Sequence, residues 1–463
     1  MYYDELLRLC GYEPEEIEKE RPRIEKTFDK LEFTPEDIDR GEKRIRQYFD
    51  IELGGIRKMM GLWIKSLVDL VLAREERVKI IYCATPPFPQ LANAMAMVSE
   101  DIYISSPEQI FAHVVGGIFD RLNPILEAAE GDLLPAGLAY CSGLQARLGG
   151  IIKGAIPVPD LLVSSGFICD ETPKLDELIG KIYEVPVAYV DCINDSMERN
   201  WPQISDTRIE YLAHEARDAL AKFEEVTGYK VTEEIAQKAN ERSADLFQRS
   251  SRVLELIRGA NPTPISFVDI GIAYRLATRT VNSTTVSIDT RSMVDLLYRE
   301  LKERVDSGKG VLPKGAPRIA ICFSWSEPTS VNMIEKAGLQ VLVDMTPATE
   351  IERNRVPIKY EDYWECSSES LLCLSFMKFA KHFKQVCQEW KVDGAIMNYP
   401  IGCREFCIEP VISREIITKE LGIPVLLLEC DQNDTRNYSA EAMRSRVEAF
   451  AEMLIAAKAA EKK

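Results

Sequence analysis

Eight short apolar runs, rich in Val, Ile, Leu and Tyr, recur along this chain in two sets of four, with helical patterning between them. The first set is VKIIYCA from Val78, DIYIS at 101–105, LLVSS at 161–165 and VAYVD at 187–191. The second is RIAICF at 318–323, LQVLVD at 339–344, DGAIMNY at 393–399 and PVLLLE at 424–429. Apolar runs that lack polar alternation and are separated by helices belong to parallel sheets covered on both faces. The pattern predicts an α/β protein with two related open parallel-sheet, Rossmann-like domains. In such sheets the ligand crevice lies beyond the carboxyl ends of the strands, so two facing edges would enclose a site.

The remaining sequence reads as helix. Residues 1–76 form a charged helical N-terminal extension, in which Thr34-Pro35 supplies a side-chain cap followed by proline at the first helical position. Helical spacing continues from Ile51 to Ala73 through Ile56, Met60, Trp63, Ile64, Leu67 and Val68. After a first α/β domain at 77–200, residues 201–312 return to long amphipathic helices, Tyr229 to Gly259 among them. SGKGVLPKGAP at 307–317 is a Gly/Pro-rich linker into the second α/β domain, 313–463. A chain of 463 residues is too long for one core, which agrees with several domains.

The cysteines follow the strand ends. Cys83 closes VKIIYC, Cys322 closes RIAIC, Cys169 closes LLVSSGFIC and Cys192 closes VAYVDC. Cys403 and Cys407 follow the run that ends at Tyr399, just after Pro400 and Gly402. The chain holds 12 cysteines but only 3 histidines, His113, His214 and His382. Thiolates without imidazole favour iron–sulfur chemistry over most other metals. No CxxC pair is present, so a ferredoxin-type run is excluded and any cluster must be assembled from distant loops. The plainer alternative is that free cysteines are buried as small apolar side chains, the commonest fate of any one of them.

Other classes are set aside by charge and motif. A formal net charge of −17 disfavours nucleic acid and anionic membrane surfaces. The opening MYYDELLRLCGYEPEE is acidic and unlike a secretory signal, and GLWIKSLVDLVLA is interrupted by Lys65 and Asp69, so the chain reads as cytoplasmic. No GxGxxG follows a strand and no GxxxxGK[ST] occurs; GGIIKG at 149–154 has the wrong order. Any dependence on ATP would therefore come from a partner.

These residues resemble the 2-hydroxyacyl-CoA dehydratase and benzoyl-CoA reductase superfamily. The tail LGIPVLLLECDQNDTRNYSAEAMRSRVEAFAEML, 421–454, resembles its C-terminal signature, with Ser445-Arg446 and Glu448-Ala449-Phe450 in the helix. AYCSG around Cys141, FICDETPKL around Cys169 and PIGCREFCIE around Cys403 are similar to further motifs, in family order from about residue 78. The resemblance implies that Cys141, Cys169 and Cys403 ligate a 4Fe–4S cluster between the two domains. It further implies that a separate ATP-hydrolysing iron–sulfur activator supplies low-potential electrons.

Within the superfamily the chain most resembles the double-cubane cluster proteins, homodimers whose 8Fe–9S cluster reduces small molecules and needs six cysteines. The resemblance adds Cys83, Cys322 and Cys366 to the ligand set. Cys366 is preferred to Cys373 because the Ser-Ser-Glu-Ser that follows it reads as a loop. After Cys322 the family continues with Pro and glycines, whereas this chain has Phe-Ser-Trp. Cys407, Cys10, Cys192, Cys387 and Cys430 read as packing, and Ser142, Asp170, Lys174, Arg404, Glu405 and Glu409 border the site. The expectation is thus a cytoplasmic, homodimeric iron–sulfur reductase acting on a small molecule at a double-cubane cluster. The alternatives are a 4Fe–4S subunit of a heterodimeric dehydratase or benzoyl-CoA reductase, and a cluster-free ligand-binding protein.

Overall fold

The computed structural model describes residues 1–83, 89–131, 133–134, 140–166, 169–191, 204–279, 282–322, 328–344, 362–372, 379–431, 433–437 and 439–460. Cys192 and Cys373, and the side chains of Arg404 and Glu405, lie outside the described set. All eight predicted runs are strands. β1 (Lys79–Cys83), β2 (Ile102–Ser105), β3 (Leu161–Ser165) and β4 (Val187–Val190) form one parallel sheet. β5 (Arg318–Cys322), β6 (Gln340–Val343), β7 (Gly394–Pro400) and β8 (Val425–Cys430) form another. Strand order is β2-β1-β3-β4 in the first and β6-β5-β7-β8 in the second. Duplication of one domain would leave such a shared order.

The inner strands are apolar on both faces because helices cover both. In β1 the residues from Ile80 to Cys83, and in β5 those from Ile319 to Cys322, are wholly enclosed. In the second sheet the Arg404–Leu421 helix packs on β7 and β8, and the Ala440–Ala460 helix on β8 and on the Pro328–Lys336 helix. Gly422, at φ 70°, ends the Arg404–Leu421 helix and lets the chain turn towards β8.

The N-terminal extension is helical, as expected, and packs against β1 and the connecting helices. Thr34 caps the Pro35–Tyr48 helix through a reciprocal pair with Asp37: Asp37 N donates to Thr34 Oγ1 at 3.3 Å, and Thr34 N to Asp37 Oδ2 at 2.9 Å. The Gly54–Glu76 helix is buried along most of its length and crosses the Thr290–Ser307 helix closely. A Cβ on Gly55 would stand 2.7 Å from Leu297 Cβ, so only glycine allows that approach. In the 201–312 segment, the Asp206–Thr227 helix lies against β4 and β3, and the Glu233–Gly259 helix against Pro89–Ala96. These helices flank the first sheet directly.

Candidate functional site

The thiols at Cys141, Cys169 and Cys403 stand at the carboxyl edges of the two sheets. Cys169 comes shortly after β3 and Cys403 shortly after β7, while Cys141 is the N-cap of the Ser142–Ile152 helix. Gly402 sets the approach between domains: a Cβ there would lie 2.2 Å from the Tyr140 carbonyl oxygen and 3.2 Å from Cys141 N. The chain after β7 thus touches the backbone beside Cys141 with no room for a side chain. The Cys141 N–H donates to Glu171 Oε2 at 3.2 Å, which ties Cys141 to the helix that follows Cys169. Cys141, Cys169 and Cys403 are half-buried residues, whereas Cys10, Cys83, Cys322, Cys387 and Cys430 are buried.

The electrostatics link the same three residues. Burial pushes the Cys141 thiol up, and the nearby Cys169 and Cys403 sulfurs add to that shift. The N–H groups of Leu144 and Gly143 act in the opposite sense by donating to the Cys141 sulfur. Tyr140 also senses Cys141 and Cys169, and burial raises its phenol. The three sulfurs are not all within 4.8 Å of one another. Ligands of a single tetrahedral ion, with bonds of about 2.3 Å, would be that close. The three thiols are therefore too far apart to share one tetrahedral ion in this arrangement.

A polar network holds the two domains against each other beside these thiols. Ser142 Oγ donates to Asp431 Oδ1 at 2.5 Å, and the same oxygen accepts from Asn433 N at 3.2 Å and Asp434 N at 3.1 Å. Asn437 Nδ2 donates to Asp431 Oδ2 at 3.0 Å. Arg436 pairs with Asp434 at 2.8 Å and with Glu130 at 2.6 Å. The acidic–polar stretch after β8 therefore clamps the N-terminus of the Cys141 helix.

The other predicted ligands have different neighbours. Cys83 packs at the end of β1 among Ile81, Ile104 and Val163, its thiol raised by burial and then by Glu108 and Asp176. Cys322 is raised by burial and by Asp344, Cys387, Glu409 and Cys430. Cys366 belongs to the Tyr363–Leu372 helix, not to the expected loop, because Ser367, Ser368 and Ser370 continue the turn that Asp362 starts. Its thiol is raised by burial and by Glu369, Asp362 and Glu365 of the same segment. Among the bordering residues, Asp170 and Lys174 pair with each other at 2.7 Å on the surface. Glu409 accepts from Ala380 N at 3.0 Å and so anchors the neighbouring helix.

One constellation escaped the sequence reading. Arg147, fully enclosed in the Ser142–Ile152 helix, bonds Asp176 at 2.5 Å and faces Glu108 at 3.8 Å. Burial pushes Asp176 up to about 6 although Arg147 opposes the shift. The signal available beforehand was a lone Arg inside the apolar run GLQARLGGII.

Comparison with known proteins agrees with this architecture. The family described as 2-hydroxyglutaryl-CoA dehydratase, D-component, matches residues 74–454. The (R)-phenyllactyl-CoA dehydratase alpha subunit of Clostridium sporogenes is 25% identical, over 66% of this chain and 73% of its own length. The (R)-2-hydroxyglutaryl-CoA dehydratase subunit alpha of Acidaminococcus fermentans is 23% identical, over 65% of this chain and 61% of its own length. The (R)-2-hydroxyisocaproyl-CoA dehydratase alpha subunit of Clostridioides difficile is 20% identical, over 79% of this chain and 93% of its own. With the match covering most of its length, this chain belongs to the 2-hydroxyglutaryl-CoA dehydratase D-component family.

Proposed function

We propose that the chain is the iron–sulfur subunit of a 2-hydroxyacyl-CoA dehydratase and holds one four-iron cluster on Cys141, Cys169 and Cys403. The observation that carries this reading is the convergence of those three thiols where the two sheets meet, while Cys83, Cys322 and Cys366 lie in separate surroundings. That placement supports four irons over the eight of a double cubane. The relatives support the substrate class, since each is named for a coenzyme A thioester of a 2-hydroxy acid and as one subunit of its enzyme.

When bound, a cluster of this type supplies a single-electron donor and an iron able to accept an oxygen ligand. The chain's own residues do the rest. The Gly143 and Leu144 N–H groups balance thiolate charge at Cys141, as a helix N-terminus does for an anion. The Asp431 network and the Gly402 contact keep the domains, and hence the thiols, at a fixed separation. Electrons would arrive from an ATP-hydrolysing activator docking near the thiols, with a second subunit completing the substrate pocket.

The test is iron and acid-labile sulfide per chain after strictly anaerobic purification. About four irons, lost in Cys141→Ser, Cys169→Ser or Cys403→Ser but kept in Cys83→Ala and Cys322→Ala, is the expected result. About eight would restore the homodimeric double-cubane reading. None, even after reconstitution, would leave a cluster-free binding protein.

A further inference from the structure

Arg147 is a fully enclosed cation on the helix whose N-cap is Cys141. Six residues separate the two, about 9 Å of helix rise, and helical side chains lean back toward the N-terminus. The guanidinium therefore reaches toward the thiol end of its helix, and the Cys141 and Tyr140 charges both act on it.

Two carboxylates face this one cation. Asp176, on the helix that follows Cys169, accepts from Arg147 Nη2 through Oδ1 at 2.5 Å, and Glu108 Oε2 stands 3.8 Å from Nη1. Glu108 is also near the thiol. Its Cβ and the Cys141 Sγ lie 3.9 and 3.7 Å from the point where a Cβ on Gly143 would stand, so they are no more than 3.9 + 3.7 = 7.6 Å apart.

Hydrogen bonding leaves this triad incomplete. Both Glu108 oxygens, Asp176 Oδ2, and Arg147 Nε and Nη1 are enclosed and make no hydrogen bond among the described residues. With both carboxyls ionised the triad would hold a net negative charge away from water, which one added proton removes. Asp176 Oδ2 is open to that proton, and Ser164 Oγ beside it on β3 is likewise unpartnered and can accept it. Burial lifts Asp176 to about 6 against the pull of Arg147. The other titratable groups facing the triad are Tyr82 and Cys83 of β1, Tyr140, and Tyr189 of β4; burial raises each, so all four stay neutral.

An electron arriving at the thiols is a unit of negative charge placed beside this triad. At about 10 Å and an effective dielectric near 20, such a charge changes a proton affinity by on the order of tenfold. Resting on the iron–sulfur reading above, we propose that Asp176 takes up a proton when the site at Cys141 gains an electron, with Arg147 and Glu108 holding the carboxyl in place. The balance is one electron from a low-potential one-electron donor and one proton from solvent, so the enclosed junction gains no net charge. Asp176 releases its proton when the electron leaves.

The test is a redox titration of the anaerobically purified, iron-loaded protein, read by electron paramagnetic resonance at pH values on both sides of 6. Proton uptake on reduction makes the midpoint potential higher at low pH. It should fall by about 59 mV in all as pH rises from below 6 to about a unit above it, the equivalent of a tenfold coupling for one electron. Asp176→Asn, which keeps an acceptor for Arg147, should abolish the fall. Glu108→Gln, which removes one negative charge, should move it to lower pH. Glu335→Gln, at a raised carboxyl of the second domain, should leave it as in wild type. Reduced-minus-oxidised infrared spectra should gain a protonated-carboxyl band in wild type and lack it in Asp176→Asn. A midpoint indifferent to pH, a fall that survives in Asp176→Asn, or a wild-type spectrum without that band overturns the proton role and leaves the four-iron reading standing. If Asp176→Asn fails to hold iron, the wild-type pH series and infrared band decide. Wild-type protein that holds no iron overturns both.

Discussion

Gly402→Ala tests how the two domains bring their thiols together. The added Cβ would stand 2.2 Å from the Tyr140 carbonyl oxygen, against a near limit of 3.4 Å for ordinary contact, so one segment must retreat by 3.4 − 2.2 = 1.2 Å. Cys403 is the next residue and would retreat with it. Forcing extra volume into a packed contact costs roughly 1–3 kcal/mol. A matched control is Gly259→Ala, where nothing lies within 4 Å of the new Cβ and the residue ends a helix. Denaturant unfolding would read the stability difference. A short bis-alkylating reagent, followed by mass spectrometry, would read the Cys141–Cys403 separation in cluster-free protein. The expected result is a stability loss and a fall in cross-linking for Gly402→Ala, with neither for Gly259→Ala. Wild-type stability and cross-linking in Gly402→Ala would refute the close approach at the Tyr140 carbonyl.

Further expectations concern buried charge. Burial pushes Glu335 from its ordinary 4.5 up to about 7, although Ser266 Oγ and Phe267 N donate to it at 2.6 and 2.7 Å. A raised carboxyl contributes stability that is complete below 4.5 and is lost as pH rises through about 7, up to roughly 3 kcal/mol at 1.36 kcal/mol per pKa unit. Unfolding free energies across that range should decline for wild type and flatten in Glu335→Gln; an unchanged slope would place the titration elsewhere, for example at Asp269, which burial also raises. Arg147→Met should destabilise by about 3–5 kcal/mol, because it strands Asp176 and Glu108 without their cation, and Asp176→Asn in the same chain should recover part of the loss. Asp431→Ala should cost about 1–3 kcal/mol and loosen the domain junction, read as faster amide exchange at Asn433 and Asp434, whose N–H groups it accepts.

Local patterning accounts for much of the fold. Every one of the eight apolar runs is a strand, and the Thr34-Pro35 cap starts a helix at Pro35, because strand and cap signals act over a few residues. The helix expected from Tyr229 begins at Glu233, where Thr232 Oγ1 accepts from Ile235 N and so sets the start. The Ser-Ser-Glu-Ser after Cys366 misled for the opposite reason. Polar residues that favour loops continue a helix there because Trp364 and Leu371 bury against neighbouring elements. Arg147 gave little local warning, since its partners lie on other elements.

The sequence by itself determined two four-strand parallel units, their helical surroundings and a set of thiols at strand ends. Tertiary structure decided which thiols meet. Cys83, Cys169, Cys322 and Cys403 all follow or close strands, and of these Cys169 and Cys403 act on the Cys141 thiol. Cys83 and Cys322 close inner strands and stay in the enclosed cores of their own sheets. The physical reason is that strand formation depends on side-chain pattern along a few residues, whereas the meeting of Cys141 with Cys403 depends on a glycine at 402 and a carboxylate at 431 fitting a surface in the other domain.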